Sequence, residues 1–256
     1  MMSRHIPVSA FVITKNEEAH ITQVLTALSC FDEVIVVDSG SSDSTVKLAK
    51  QAGATVIHQD WLGYAKQKNF AMEQCRNTWL INIDGDEVLS TQNIDEITTI
   101  INNDKADAIR LYFDDLLWGE SMARSSRKRS IIRVFKRTHA KYPIERLVHE
   151  NLVLKKGVRI SSIKSLVTHY GYDSTEVLTH KFNRYSSLKA QEKFNKTQSP
   201  SSAKLLLVYP LTFVKVYLFR KMFLSGIRGV IVAHLEATYA FLKEAKLFEL
   251  THSNER

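Results

Sequence analysis

Residues 79–87 read Trp-Leu-Ile-Asn-Ile-Asp-Gly-Asp-Glu, an apolar run that stops abruptly at Asp84, Gly85, Asp86 and Glu87. Trp79, Leu80, Ile81 and Ile83 favour a strand buried on both faces. The acids mark where that strand leaves the core. Three carboxylates crowded at one exit repel one another unless positive charge stands between them. A divalent cation meets that need, because oxygen ligands suit Mg²⁺ or Mn²⁺ and such ions keep positions open for substrate phosphates. A solvated acidic turn is the alternative, Asp-Gly being a common turn pair.

The segments before it repeat one unit. Residues 8–14, Val-Ser-Ala-Phe-Val-Ile-Thr, read as a strand, followed by the polar loop Lys15-Asn16-Glu17-Glu18 and a helical stripe at Ile21, Val24, Leu25 and Leu28. Residues 33–38 form an apolar strand closed by Asp38, followed by Ser39-Gly40-Ser41-Ser42-Asp43-Ser44-Thr45 and a helix through Val46, Leu48, Ala49 and Ala52. A third strand covers 54–58 with a helix from about 64 to 76, so the strand ending at Asp84 is the fourth. This alternation predicts an α/β fold, a mostly parallel sheet flanked by helices. Ligands of such sheets bind outside the carboxyl ends of the strands, where Thr14, Asp38, Asp43, Asp84 and Asp86 all fall. Asp38, acceptor-only when ionised, suits an imide N–H or a ribose hydroxyl, or else serves as a turn or helix-cap carboxylate. No Gly-x-Gly-x-x-Gly and no Gly-x-x-x-x-Gly-Lys-Ser/Thr occurs, so a nucleotide has no glycine-rich phosphate cradle here.

In order and spacing, Thr14-Lys15-Asn16-Glu17, the stretch Val37 to Thr45, Lys68-Asn69 with Ala71, and Asp84-Gly85-Asp86-Glu87 resemble the family 2 inverting glycosyltransferases. The chain is most similar to the branch that adds a sugar, often glucose, to the inner core of bacterial lipopolysaccharide or lipooligosaccharide. The resemblance implies a GT-A, Rossmann-like domain, a UDP-sugar donor and Mn²⁺ or Mg²⁺ as cofactor. It places Thr14, Asn16, Glu17, Asp38, Asp43, Lys68 and Asn69 around the nucleotide sugar, and Asp84 and Asp86 at the ribose and the metal-bound diphosphate. It also implies a base on the acceptor side. Glu150, in Arg146-Leu147-Val148-His149-Glu150, is the candidate, with Asp114, Asp115 and Glu145 next in line and an ion pair to Arg146 or Lys155 as its other reading. His149 and His169 are candidates for phosphate or metal contacts, although a histidine near a strand is more often structural. Lys181 and Tyr185, on a helix expected over 175–196, are candidates for acceptor contacts.

Charge is unevenly spread. Residues 1–100 carry 7 Lys and Arg against 13 Asp and Glu, while residues 101–256 carry 28 against 14. The basic half includes Arg124, Arg127-Lys128-Arg129, Arg133, Lys136-Arg137 and Lys155-Lys156. Such runs serve anionic partners or a solvated face. Without interleaved aromatics they do not suggest nucleic acid, and a phosphorylated lipid A–core acceptor fits them better.

Composition divides the chain into a domain over 1–199 (1–100 donor side, 101–199 acceptor side) and a helical extension over 200–256. In the extension, the longest charge-free stretch, Leu205 to Val214, is shorter than a bilayer requires. Its mixture of aliphatic, aromatic and cationic residues suits a helix in the headgroup region, with packing on the catalytic domain or a homodimer interface as alternatives. Pro210 is expected to kink or begin a helix. Cys30 and Cys75 form no disulfide or zinc framework, and the first residues lack a basic-then-apolar leader, so the expected location is the cytoplasmic face of the inner membrane. Two other functions share some of these features: a sugar-nucleotide nucleotidyltransferase, and a non-catalytic protein that binds anionic surfaces.

Overall fold

The computed structural model describes residues 6–144 and 151–254. It divides into two compact units, one comprising 6–114, 129–144 and 151–170, the other 115–128 and 171–254. The second unit therefore begins earlier than the composition boundary after residue 199.

The first unit follows the predicted alternation: β1 Ile6–Thr14, α1 Ile21–Leu28, β2 Phe31–Asp38, α2 Thr45–Gln51, β3 Thr55–His58, α3 Tyr64–Gln74 and β4 Trp79–Asn82. It continues through β5 Glu87–Val88, α4 Thr91–Asn102, β6 Ala108–Asp115, β7 Arg129–Lys136, β8 Ala140–Lys141, β9 Val153–Leu154 and β10 Ile160–His169. Eight strands form one sheet in the order β3-β2-β1-β4-β7-β6-β10-β5, and β8 and β9 pair separately. β1, β2, β3 and β4 run parallel, whereas β7 joins β4 antiparallel and β6 joins β7 antiparallel.

Alternate residues of β1 serve opposite faces. Val8, Ala10 and Val12 pack with Ile21, Val24, Leu25 and Leu28 of α1, while Phe11 packs with Ala65, Ala71 and Met72 of α3. With both faces covered, the strand is apolar at almost every position. The chain returns from β3 at one edge to β4 on the other side of β1, which makes β1 the switch point. In sheets of this kind ligands bind at the carboxyl ends of the strands around such a point.

The second unit contains α5 Thr175–Asn195, α6 Ser202–Val214, a π-helical turn Lys215–Phe219, a 3₁₀ turn Met222–Ser225 and α7 Gly226–Asn254. Its core joins Leu117, Met122, Leu178, Val216, Met222 and Ala233. Gly229 of α7 permits a close approach, since a Cβ there would stand 1.8 Å from the Met222 carbonyl oxygen. Pro210 lies inside α6 rather than opening it, because the Ser201 side chain caps the helix at its start.

Candidate active site

Four carboxyl-end segments of the first unit build the rim. The loop after β1 is sewn to the loop after β2: Asn16 N–H donates to Ser41 Oγ (2.9 Å), Ser42 N–H to Asn16 Oδ1 (2.8 Å), Glu17 N–H to Thr45 Oγ1 (2.8 Å) and Ser44 N–H to Glu18 Oε2 (2.9 Å). Asn16 has φ 57°, a conformation that asparagine tolerates better than most residues. Asp43 accepts from the N–H groups of Glu18 (3.2 Å) and Thr45 (3.0 Å). Asp38 closes the tight turn after β2, its Oδ2 accepting from Gly40 and Ser41 N–H (both 2.9 Å) and its Oδ1 from the Ser41 hydroxyl. Its observed contacts are thus those of the turn carboxylate.

Thr14 ends β1 in register with Asp38. It is buried, and its Oγ1 has no hydrogen-bond partner among the described residues. A buried hydroxyl without a partner is costly unless a ligand or water completes it. Gly85 passes so close to Glu17 that a Cβ there would meet Glu17 Cγ at 2.9 Å.

The acidic motif lies against an arginine on which the motif reading placed no weight. Arg133, 4% exposed in β7, reaches Asp84 Oδ2 at 2.5 Å and Glu87 Oε1 at 2.6 Å through Nη2, and Asn82 Oδ1 at 2.9 Å through Nη1. Arg129 Nη2 stands 3.6 Å from Glu87 Oε1, and Lys68 Nζ stands 3.4 Å from Asp84 Oδ1. Glu87, wholly buried, also accepts from Asp84 N–H (3.1 Å). Burial by itself raises a carboxyl pKa. The charges of Arg133 and Lys68 and the Arg133 hydrogen bonds outweigh it and hold Asp84 well below the usual carboxylate range. The positive charge that the crowded acids require therefore comes from the protein itself. A signal for it was present in the sequence: Arg133 interrupts the apolar run Ile131-Ile132-Arg133-Val134-Phe135.

Lys68 is buried and lies 5.6 Å from the Tyr142 ring centroid. Its neighbour Asn69 acts as a pin, donating to the Tyr142 carbonyl (2.9 Å) and accepting from the Tyr142 N–H (3.1 Å). Tyr142 in turn donates its hydroxyl to Asn82 Oδ1 (3.1 Å).

Asp86 has a different neighbour. His169, at the end of β10 and paired in register with Glu87, places Nε2 3.3 Å from Asp86 Oδ2. Among the described residues, no group of three or more His, Cys, Asp or Glu converges as a metal cage. The carboxylate–imidazole pair is nevertheless a donor set that Mn²⁺ accepts, with remaining positions for phosphate and water oxygens. Asp84, committed to two cations, fits that task less well.

Glu150 and His149 lie outside the described residues, as does Glu145. Lys181 and Tyr185 belong to α5 of the second unit, where Lys181 Nζ stands 5.5 Å from the Tyr172 ring centroid. Much of the basic run is occupied within the first unit. Lys136 pairs with Asp104 and Asp107, and Arg137 donates to the carbonyls of Cys75 and Asn77.

A parallel β3-β2-β1-β4 half-sheet with this charged rim defines an α/β protein of the GT-A type. Residues 9–150 match Glycosyl transferase family 2, and the chain belongs to that family of sugar transferases. It is 36% identical over 258 residues to an uncharacterised glycosyltransferase of Rickettsia typhi, covering 95% of this chain and 87% of the relative. It is 32% identical over 251 residues to the lipopolysaccharide core biosynthesis glycosyltransferase LpsC of Rhizobium meliloti, covering 95% and 93%. Among solved structures, S. aureus TarS 1–349 is similar with a TM-score of 0.51 at 17% identity, covering 97% of this chain and 92% of that one. The mannosyltransferase PcManGT of Pyrobaculum calidifontis, solved with GDP-Man and Mn²⁺, has a TM-score of 0.51 at 13% identity, covering 97% and 76%. At such identities these two structures speak for the fold.

Proposed function

We propose that this glycosyltransferase moves a sugar, glucose being the first candidate, from a UDP-sugar to a phosphorylated glycolipid of the lipopolysaccharide core, with inversion at the anomeric carbon. The observation that carries the reading is the rim itself. A buried Thr14 hydroxyl at the end of β1 with no partner among the described residues, two differently held aspartates after β4, and the buried Lys68 of α3 at 3.4 Å from Asp84 line one rim of a sugar-transferase fold. The full-length likeness to an enzyme named for lipopolysaccharide core biosynthesis supports the acceptor class. A lipid-linked acceptor places the work at the cytoplasmic face of the inner membrane. The family assignment leaves the nucleotidyltransferase and the non-catalytic surface binder with no observation of their own.

In this reading Thr14, Asn16, Glu17, Asp43 and Lys68 surround the nucleotide, with Asp38 and Asn69 fixing the loops that shape its pocket. Arg133 and Lys68 keep Asp84 ionised and fixed, so that it accepts hydrogen bonds from donor hydroxyls. Asp86 with His169 would hold Mn²⁺ or Mg²⁺, which when bound neutralises the departing diphosphate. The acceptor hydroxyl oxygen attacks the anomeric carbon, the bond from that carbon to the diphosphate oxygen breaks, and UDP leaves. The hydroxyl proton passes to the carboxylate assigned to Glu150.

Titration with UDP-glucose, with and without Mn²⁺, followed by transfer to a lipopolysaccharide core acceptor, tests the assignment. Glu150→Gln is expected to retain donor affinity while transfer falls about 10²–10⁴-fold. Near-normal turnover moves the base to Asp114, Asp115 or Glu145.

A further inference from the structure

Residues 193–235 contain seven Lys or Arg and no Asp or Glu. Within them, Ser202–Phe219 is helical, with Val216 its one fully buried residue, and by length and composition apolar enough to cross a membrane. The sequence count of charge-free residues ended at Val214, but the helix runs on past Lys215 through its π turn. Leu207, Leu211, Val214 and Leu218 recur at i, i+4, i+7 and i+11, a spacing that in a globular protein turns toward the core. Here they are 54%, 64%, 41% and 51% exposed.

The packed side of the helix is the other one. Tyr209 and His234 of α7 share a hydrogen bond of 2.6 Å, and the Phe213 ring lies 4.6 Å from that of His234. Phe213, Val216 and Tyr217 join the core around Ala233. After the helix, Lys221 at φ 59° turns the chain into Met222–Ser225, and Phe219, Phe223, Leu224 and Ile227 are exposed around it. An apolar ridge of this length on a folded unit marks an interaction surface.

Charge selects the occupant. Lys215 and Lys221 stand exposed within the ridge; Glu236 of α7 lies close enough to Lys215 to feel its charge but is paired with Arg220 at 2.7 Å, so the stretch keeps an excess of positive charge. A second copy docking through the same patch about a two-fold axis would set these cations against themselves. Anionic lipid headgroups complement both features at once, taking the aliphatic side chains below the phosphates and the ammonium groups beside them.

We propose that α6 together with residues 215–227 is a membrane-dipping element that seats the enzyme on an anionic lipid surface. It deepens, and rests on, the lipid-linked acceptor reading. With its other side packed on α7, the helix lies along the interface rather than crossing it.

Co-sedimentation of the full-length protein with phosphatidylglycerol/phosphatidylethanolamine vesicles, against phosphatidylcholine vesicles, tests this. Binding is expected on the anionic vesicles and should weaken with salt. Leu207→Ser/Leu211→Ser/Leu218→Ser should lower partitioning about 100-fold. Lys215→Glu/Lys221→Glu, a pair that leaves the apolar stripe intact, should lower it about 30-fold. Circular dichroism and thermal unfolding verify that both variants fold. Donor hydrolysis without acceptor, measured on the same preparations, reads the transferase site separately and is expected to be unchanged. Vesicle binding equal to wild type in both folded variants overturns the proposal. So does a wild-type dimer that fails to bind vesicles and dissociates on the leucine substitutions.

Discussion

Strand β7 delivers Arg129 and Arg133 to the acids after β4 and Lys136 to acids near the other end of β4, and the two ion clusters differ in how deeply their most enclosed carboxylate is buried. At the carboxyl end of β4, Arg133 holds Asp84 and Glu87 at 2.5 and 2.6 Å, itself 4% exposed. Three residues along, Lys136 pairs in register with Trp79 at the other end of β4 and meets Asp107 at 2.9 Å and Asp104 at 3.1 Å, with Arg159 Nε 3.0 Å from Asp107. The contact lengths are similar, but the Asp104 side chain is 72% exposed, whereas Glu87 is wholly buried. In water an ion pair exchanges one good solvation for another and is screened by salt. In the buried cluster, removing Arg133 leaves Glu87 out of reach of water, with Arg129 at 3.6 Å as a weaker counter-charge. The difference separates a surface fastening from an internal counter-charge on which the acidic rim depends.

The largest expected effect follows from removing that counter-charge. Arg133→Met should destabilise the protein by about 3–5 kcal/mol, read as a fall in the urea midpoint. Adding Glu87→Gln to it should recover part of the loss, because the stranded charge is then gone. A loss below about 1 kcal/mol would put both clusters in the surface class.

A smaller effect, in a different observable, is expected at the neighbouring acid. Asp86→Asn should leave the urea midpoint close to wild type while Mn²⁺-dependent donor affinity falls by at least the about 10–100-fold seen when a metal ligand loses its support. Unchanged Mn²⁺ dependence would remove Asp86 from the metal site and make it a second structural acid.

The smallest effect concerns acid and salt. Asp84 is held low by Arg133 and Lys68 against its burial, and Asp107 is held low by hydrogen bonds from Arg159 and Lys136. A depressed carboxyl pKa contributes stability that is present above the unfolded value of about 4 and is lost as pH falls toward the folded one. Stability should therefore be flat between neutral pH and about pH 5 and decline below about pH 4. The share carried by the exposed Asp104 and its neighbour Asp107 should shrink most at high salt, and Lys136→Met should remove much of that salt-sensitive share in acid unfolding followed by circular dichroism. A decline as salt-sensitive in Lys136→Met as in wild type would break the distinction.

The alternation of strands and helices was legible because apolar strands covered on both faces must be apolar at nearly every position, as Val8 to Thr14 and Val34 to Val37 are. The candidate rim was legible for the same reason, since polar groups such as Thr14, Asp38 and Asp84 stand out where such strands end. Individual employments were not. Asp38 has the composition of a nucleotide ligand and the contacts of a turn carboxylate, and Asn69 spends both ends of its amide on Tyr142.

Sequence alone thus determined the fold class, the family and the edge of the sheet on which the acids gather, because all three are carried by local pattern and by motifs read in order. Tertiary structure alone decided which charges neutralise one another. Arg133 lies 49 positions from Asp84 and 46 from Glu87, and only the antiparallel placement of β7 beside β4 brings it between them. It also decided that the leucine stripe of α6 faces outward, since periodicity gives a helix an apolar side but not the partner that covers it.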